Sequence, residues 1–374
     1  MRQEVLEKFY EQDVMPALAQ ALENLETDFQ KTKQDMKQEF IDCFRKICVT
    51  AERSRTISSS KTGFLSFHVL RTRILNHNYS YPAMSYDKEW YLNNGIMTGE
   101  LDVSYYYNHY ESLWKQLTRE SRKYIQQFCE PDIETIMLKL FEPFHEYVVE
   151  LMRFSLLEAL ETEEYEALKK ESRFEIQSGE YFEPGDLIHI EQIEKNRYEI
   201  LNTIIQTNDQ SCCFQDYRNL DLATLTSEGK DFRYTDFRNC NLQDINFTNS
   251  LLMGTKFKNS FMRHANLMVS MIHDARFDYA DLTDANLQYC VAFTGKNQAN
   301  AWKSTGFTGV SFKNSCLNQA NFTGATILGG DFQGADLTGA VFDKAVLNRS
   351  RFQKKQLNQC FFSPQQLEQI EIIP

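Results

Sequence analysis

The sequence predicts a mixed fold: a mainly α-helical N-terminal domain with a β-hairpin, followed by a solenoid of stacked parallel coils. Three observations predict it. A large apolar residue returns at every fifth position from Phe232 to Phe362. The first fifty residues carry an apolar stripe at helical spacing. The excess of acidic residues is confined to the N-terminal part.

The five-residue series comes first, because an internal repeat fixes the fold class. It opens Phe232, Phe237, Leu242, Phe247, Leu252, Phe257 and closes Leu347, Phe352, Leu357, Phe362. Of its 27 positions only Ala292 and Asn297 are not large and apolar. A period of five matches neither an α-helix nor a β-strand, so no ordinary amphipathic element accounts for it. Two residues before each large residue stands a small one, as at Thr235, Cys240, Ser250, Ala265, Ala280 and Ala320. Asp or Asn is frequent between the two, as at Asp236, Asn241, Asn266 and Asp281. The pattern describes a narrow tube: a large residue fills its centre, a small one fits beside it, and three positions face water. Asx side chains bond the local backbone at each bend.

Ala280-Asp281-Leu282, Ala335-Asp336-Leu337, Ala265-Asn266-Leu267, Ala285-Asn286-Leu287 and Ala320-Asn321-Phe322 give the motif in full. In these segments the chain resembles the pentapeptide-repeat family. The resemblance implies a right-handed, quadrilateral parallel β-helix with four pentads per coil over residues 230–364. Nearly seven coils at about 4.8 Å per layer make a rod on the order of 30 Å long. Residues 206–229 read as a linker and imperfect first coil, because Ser227-Glu228-Gly229-Lys230 interrupts the pattern. A bulge or short loop is expected at Val291–Thr305, where Gly295, Lys296 and Asn297 stand in the way. Residues 365–374 read as a C-terminal cap, which the open end of a solenoid requires.

Residues 1–205 read as a separate domain. Leu18, Leu22, Leu25, Phe29, Met36, Phe40, Phe44 and Ile47 mark one long amphipathic helix over residues 2–50, with a kink at Pro16. Leu65, Phe67 and Val69 alternate, and Asn76-His77-Asn78 supplies a turn, giving a hairpin over residues 62–92. Two further helices are expected, Tyr105–Phe128 and Ile133–Lys170, the second carrying Pro143. A short aromatic pattern runs from Phe174 to His189.

Composition excludes several function classes. The N-terminus has no apolar leader and no stretch is long and apolar enough to span a bilayer, which predicts a cytoplasmic protein without membrane contact. The nine cysteines fit neither a zinc pattern nor a disulfide framework. The seven histidines are scattered, with His264 and His273 at outward positions of different coils, and no phosphate-binding glycine loop occurs. No catalytic residue, metal or cofactor is expected.

Charge bears on function more directly. Some members of the family resemble DNA in shape and charge and bind type II topoisomerases, protecting them from quinolones. That mechanism needs a strongly negative rod. Residues 211–374 carry 15 acidic and 16 basic residues, whereas the first 210 carry 37 and 24. The rod is near neutral, and direct nucleic-acid binding is not expected either. A different feature stands out. Leu251, Met271 and Val291 lie twenty residues apart at positions that should face water, and four pentads per coil stack them. Met253 and Phe293 extend that face, with Met268 and Val269 across the corner. A contiguous exposed apolar patch marks a contact. Its occupant is the protein's own helices, a second copy, or another protein. The sequence therefore reads as a non-catalytic interaction or scaffold protein. A topoisomerase-binding DNA mimic is the alternative, and an enzyme with its site in the N-terminal domain is the third.

Overall fold

The computed structural model describes residues 2–58, 60–124, 127–206, 212–294 and 307–374. They form two compact units, Met1–Ile193 and Glu194–Pro374.

The first unit is built on one very long helix. After α1 (Arg2–Phe9) the chain makes a wide π-type turn at Tyr10–Val14, in which the Met15 N–H reaches back to the Tyr10 carbonyl. This adjustment directly precedes Pro16, which has no N–H to donate. The helix then runs on as α2 (Met15–Ser58), about 66 Å at 1.5 Å per residue. Its stripe of Leu18, Leu22, Leu25, Phe29, Phe40, Phe44 and Ile47 is buried. It packs against β3 (Ile96–Asp102), α4 (Ser104–Ser121) and α6 (Glu142–Ala159).

The hairpin expected over residues 62–92 exists as β1 (Thr62–Val69) and β2 (Ser80–Tyr86), joined through the short helix α3 (Arg71–Leu75). It is only part of a five-stranded sheet ordered β3-β2-β1-β4-β5. Here β4 (Lys170–Glu180) lies parallel to β1, and β5 (Asp186–Gln192) returns antiparallel to β4. The aromatic stretch Phe174–His189 is therefore sheet, and β4 reaches β1 across about a hundred residues. The helix expected over Ile133–Lys170 is divided into α5 (Glu130–Leu140), α6 and the single turn α7 (Glu163–Glu166). Pro143 starts α6, because a proline fits the first turn of a helix and not its interior.

The second unit opens with α8 (Arg197–Gln206), whose Ile204 closes the first end of the solenoid core with Ile200 and Leu201 beside it. The coils follow. Parallel bridges join Asp216 to Asp236, Asp221 to Asn241 and so on, each pair twenty residues apart. Four pentads thus complete one coil, and the large residues stack in four interior columns. In one column Phe237, Phe257, Phe277, Phe312, Phe332 and Phe352 lie ring on ring, with centroids 4.6–5.5 Å apart and planes within 14°. The small residue before most of them is buried, and several of the Ser, Thr and Cys side chains bond the preceding coil, whereas Ser260 and Ser315 bond the carbonyls of Phe257 and Phe312 in their own coil. The hydroxyls of Thr255 and Ser270 donate to the carbonyls of Phe232 (2.9 Å) and Phe247 (2.8 Å). The segment Ser227–Lys230 does not interrupt the coil: Ser227 is buried, and the Ser227 and Gly229 amides donate to the carbonyls of Asn246 and Thr248 respectively, both at 2.9 Å.

The irregularity expected at Val291–Thr305 is an insertion of fifteen residues. Bridged partners stand twenty positions apart up to Met271 and Val291, then thirty-five apart from Arg276 and Ser311 to Val291 and Thr326, then twenty again. Fifteen is three pentads, so the five-residue frame survives. Asn297 and Trp302 lie outside the described residues, as does the segment Gly295-Lys296-Asn297. The chain re-enters where the Asp274 carboxylate accepts from the backbone N–H groups of Phe307, Thr308 and Gly309 at 2.6–2.7 Å. The next interior ring after Phe277 is Phe312.

At the far end two glutamines replace the missing next coil. Gln356, fully buried, donates to the carbonyls of Phe332 and Ala335 at 2.7 Å. Gln366, in α9 (Pro364–Gln369), does the same for Phe342 and Ala345 at 2.8 Å. The strand β9 (Glu371–Ile373) pairs parallel with β8 (Arg351–Gln353) and ends the stack. Replacing Gln356 by Met keeps the volume and removes both donors. The Gln356→Met substitution is expected to cost about 1–3 kcal/mol in urea unfolding of the solenoid.

Candidate protein-interaction face

Each pentad bends where the residue two after the central one takes a left-handed backbone conformation. Asn239, Asn249, Asp284 and Gly254 are among the residues there, all with φ between 55° and 63°. Asn, Asp and Gly suit this conformation. Gly254 is further required because a Cβ there would lie 2.4 Å from the Tyr234 ring.

The seven apolar residues singled out above lie at the following positions of this frame. Parallel bridges join Leu251 to Met271 and Met271 to Val291, making one outward column of partly exposed side chains. Met253 and Phe293 stand two positions later in their pentads and are also partly exposed. Phe293 lies over His273, with ring centroids 5.2 Å apart, and its N–H donates to the His273 Nδ1 at 2.7 Å. His273 is therefore buried rather than outward, and burial pulls its pKa below the usual histidine range. Met268 and Val269 belong to the preceding pentad of the coil. Val269 is 46% exposed and sits at a bend with φ of 61°, which is strained for a β-branched side chain.

The structure adds residues that the sequence frame hid. The column continues from Val291 to Thr326 in the paired strands β6 (Val291–Ala292) and β7 (Thr326–Ile327), and from Thr326 to Val346. Val346 is 41% exposed and Val341 42%. With Phe361, 80% exposed, they line a groove of about 390 Å³ at the C-terminal end of the rod. The ladder thus spans five coils.

Charge on the rod is internally compensated. Asp216, Asp231 and Asp236 each pair with the arginine two residues on, Arg218, Arg233 and Arg238, at 2.7–2.9 Å. Asp216 also holds Lys195 at 2.6 Å. Burial alone would raise its pKa, but Arg218 and Lys195 outweigh it and hold the carboxyl at about 2.

The first unit carries a groove of about 540 Å³ lined by Arg71, Lys139, Glu142, His145, Glu180 and Asp186, among others. Arg71 and Glu180 form a two-pronged ion pair at 2.7 and 2.8 Å. His145 is buried, with Nδ1 2.9 Å from the Tyr81 hydroxyl and Nε2 3.8 Å from an Asp186 oxygen, and burial lowers its pKa. No group of side chains suited to a metal ion occurs among the described residues, and no described helix is long and apolar enough to cross a membrane.

The family model for pentapeptide repeats matches residues 231–267, 307–343 and 331–363, with eight copies. The matched segments, residues 231–267 and 307–363, carry pentapeptide repeats. All the matched segments lie in the second unit. Among solved structures, the repeat domain is similar to a pentapeptide-repeat protein, Rfr23, of the cyanobacterium Cyanothece 51142, at 14% identity over 36% of this chain and 89% of that one, with a TM-score of 0.24. It is similar to QnrB1, a plasmid-mediated fluoroquinolone resistance protein, at 15% identity over 42% and 93%, with a TM-score of 0.19. HetL of Nostoc sp. strain PCC 7120, involved in heterocyst differentiation regulation, gives 18% identity over 42% and 97%, with a TM-score of 0.11. No curated protein sequence matches the chain. The family match and the coil geometry carry the assignment.

One titration near the first unit's groove is open to test. Desolvation, with Glu150, Asp186 and Glu142 nearby, pushes the Glu146 carboxyl up to about 7, against the pull of Arg153. A group raised on folding from 4.5 favours the folded state below its unfolded value, and that contribution is lost as pH rises through about 7. Because the Glu146 side chain is exposed and solvent screens the shift, Glu146→Gln is expected to raise Tm only slightly at pH 8 and leave it nearly unchanged at pH 5.

Proposed function

We propose that this is a non-catalytic interaction protein, whose repeat domain holds a protein partner on the ladder of Leu251, Met271, Val291 and Val346. The observation that carries this reading is the column Leu251, Met271, Val291, Thr326 and Val346, apolar at four of its five rungs, at a pentad position that elsewhere is mostly polar. Val269 lies across the corner from this column, and as a β-branched residue at a left-handed bend, like Thr224, it costs the rod on the order of 1 kcal/mol that Asn would save. In this reading the rod is right-handed and four-sided, which the twenty-residue coil supports. The protein works in the cytoplasm in this reading.

The near-neutral rod, with its clamped aspartates, favours this reading over a DNA mimic, which must offer a continuous negative face. A second reading, an enzyme using the groove beside His145, draws on the convergence of charged side chains there. It lacks a nucleophile placed against the imidazole among the described contacts.

Three outcomes are expected. Met271→Asp with Val291→Asp, folded by circular dichroism, loses a partner that the intact protein captures from host lysate and retains through washing. Val269→Asn stabilises the repeat domain by about 1 kcal/mol in urea unfolding and weakens the same capture. DNA supercoiling by a type II topoisomerase proceeds unchanged with the protein added; inhibition would favour the mimic.

A further inference from the structure

We propose that Asn94 is a self-modification site, which cyclises onto the Gly95 nitrogen, loses ammonia and is hydrolysed to aspartate and isoaspartate. This chemistry needs three things together. The carboxamide must be free to turn back on its own chain. The next residue must have no Cβ to shield its nitrogen, and its N–H must be free of a hydrogen bond.

The sequence holds one Asn-Gly pair, Asn94-Gly95. It lies in the loop between the short 3-10 turn Trp90–Leu92 and β3. Asn94 is exposed, and neither its carboxamide nor the Gly95 N–H bonds any described residue. Asn93 differs: its Nδ2 donates to an Asp87 carboxylate oxygen at 2.9 Å. Packing fixes glycine at position 95, because a Cβ there would lie 2.4 Å from the buried Tyr86 ring. The fold therefore keeps an unshielded nitrogen beside an unheld carboxamide.

The repeat domain supplies the contrast. Serine is also small, and it follows asparagine at Asn249-Ser250, Asn259-Ser260 and Asn314-Ser315. These asparagines sit at left-handed bends with φ between 54° and 60°, and the three serines are buried. The serine amides donate to the carbonyls of Phe247, Phe257 and Phe312 at 3.0–3.2 Å. The attacking nitrogen is thus committed to the bend. Releasing one such bond first slows attack by roughly two- to tenfold.

The step balances without an oxidant or a cofactor. The Gly95 nitrogen gives its proton to solvent and bonds to the Asn94 Cγ. The Cγ–Nδ2 bond breaks, and Nδ2 takes up a proton and leaves as ammonia. Water then opens the cyclic imide. Attack at Cγ restores an ordinary aspartate; attack at the main-chain carbonyl leaves isoaspartate, linked onward through Cγ. Either product adds a carboxylate to a loop that already carries Asp87 and Glu89. Isoaspartate also lengthens the backbone just ahead of β3, an edge strand whose sheet partner is β2.

The test ages the full chain at pH 8 and 37 °C, folded and in urea. Peptide mass spectrometry follows the conversion of amide to acid, and an isoaspartyl methyltransferase labels the isoaspartate. Asn94→Gln, whose longer side chain does not close the same ring, is the control. In the folded chain Asn94 is expected to convert at least about fivefold faster than Asn249, Asn259 or Asn314. The label is expected to vanish in Asn94→Gln, and urea to speed the three Asn-Ser sites and narrow the gap. If Asn94 stays intact when folded and converts in urea, the loop protects it and the proposal falls. Conversion of the Asn-Ser sites as fast as Asn94 in the folded chain also overturns it, as does no conversion in either sample.

Discussion

The structure of the repeat domain depends on one constraint: each coil hands its backbone hydrogen bonds to the coils above and below it. The Leu252 amide donates to the Met271 carbonyl, and the Leu251 amide to the Lys230 carbonyl behind it. Such bonds hold only if every coil closes after the same number of residues, here twenty. Closure in turn demands a bend in each pentad, a large side chain to fill the centre and a small one beside it. The Phe stacks and the Ser and Thr hydroxyls bonded to the preceding coil follow from that demand.

The same constraint explains how the ends and the interruption are built. A last coil has carbonyls with no coil to receive them, and a buried unpaired carbonyl is costly. Gln356 and Gln366 each bridge two of them, imitating the donors of an absent coil. The insertion is tolerated because the coils on either side of it bridge one another directly. Asp274 secures the return by accepting three successive backbone amides. The ring stack passes directly from Phe277 to Phe312 at 4.9 Å.

With the backbone of the described coils bonded from coil to coil, the repeat domain presents its outward side chains. Most of these are unremarkable for the fold: Asx residues near the bends, and aspartates clamped by the arginine two positions on. The ladder from Leu251 to Val346 departs from that pattern, as does Val269 at its strained bend. These residues have no part in closing the coil, which separates them from the interior column of Leu252, Ile272 and Ile327.

The sequence determined the repeat domain because its period is local: five residues decide which side chain turns inward, and the rule repeats. The stacking of Leu251, Met271 and Val291 was legible for that reason. Val346 was not, since three pentads of insertion keep the five-residue frame while shifting which pentads share a column. Only the bridges between coils show that Val291 lies over Thr326 rather than Ser311. The first unit was less legible. Its helices declare themselves through stripes such as Leu18 to Ile47, but β4 meets β1 in parallel from about a hundred positions away. Strand pairing at that range is settled by long-range hydrogen bonds and the shared core against α2, and no local alternation records it. Tertiary structure alone also decided the burial of His273 beneath Phe293 and the inward turn of Gln356 in place of Leu357, because each depends on what the neighbouring coil leaves unfilled.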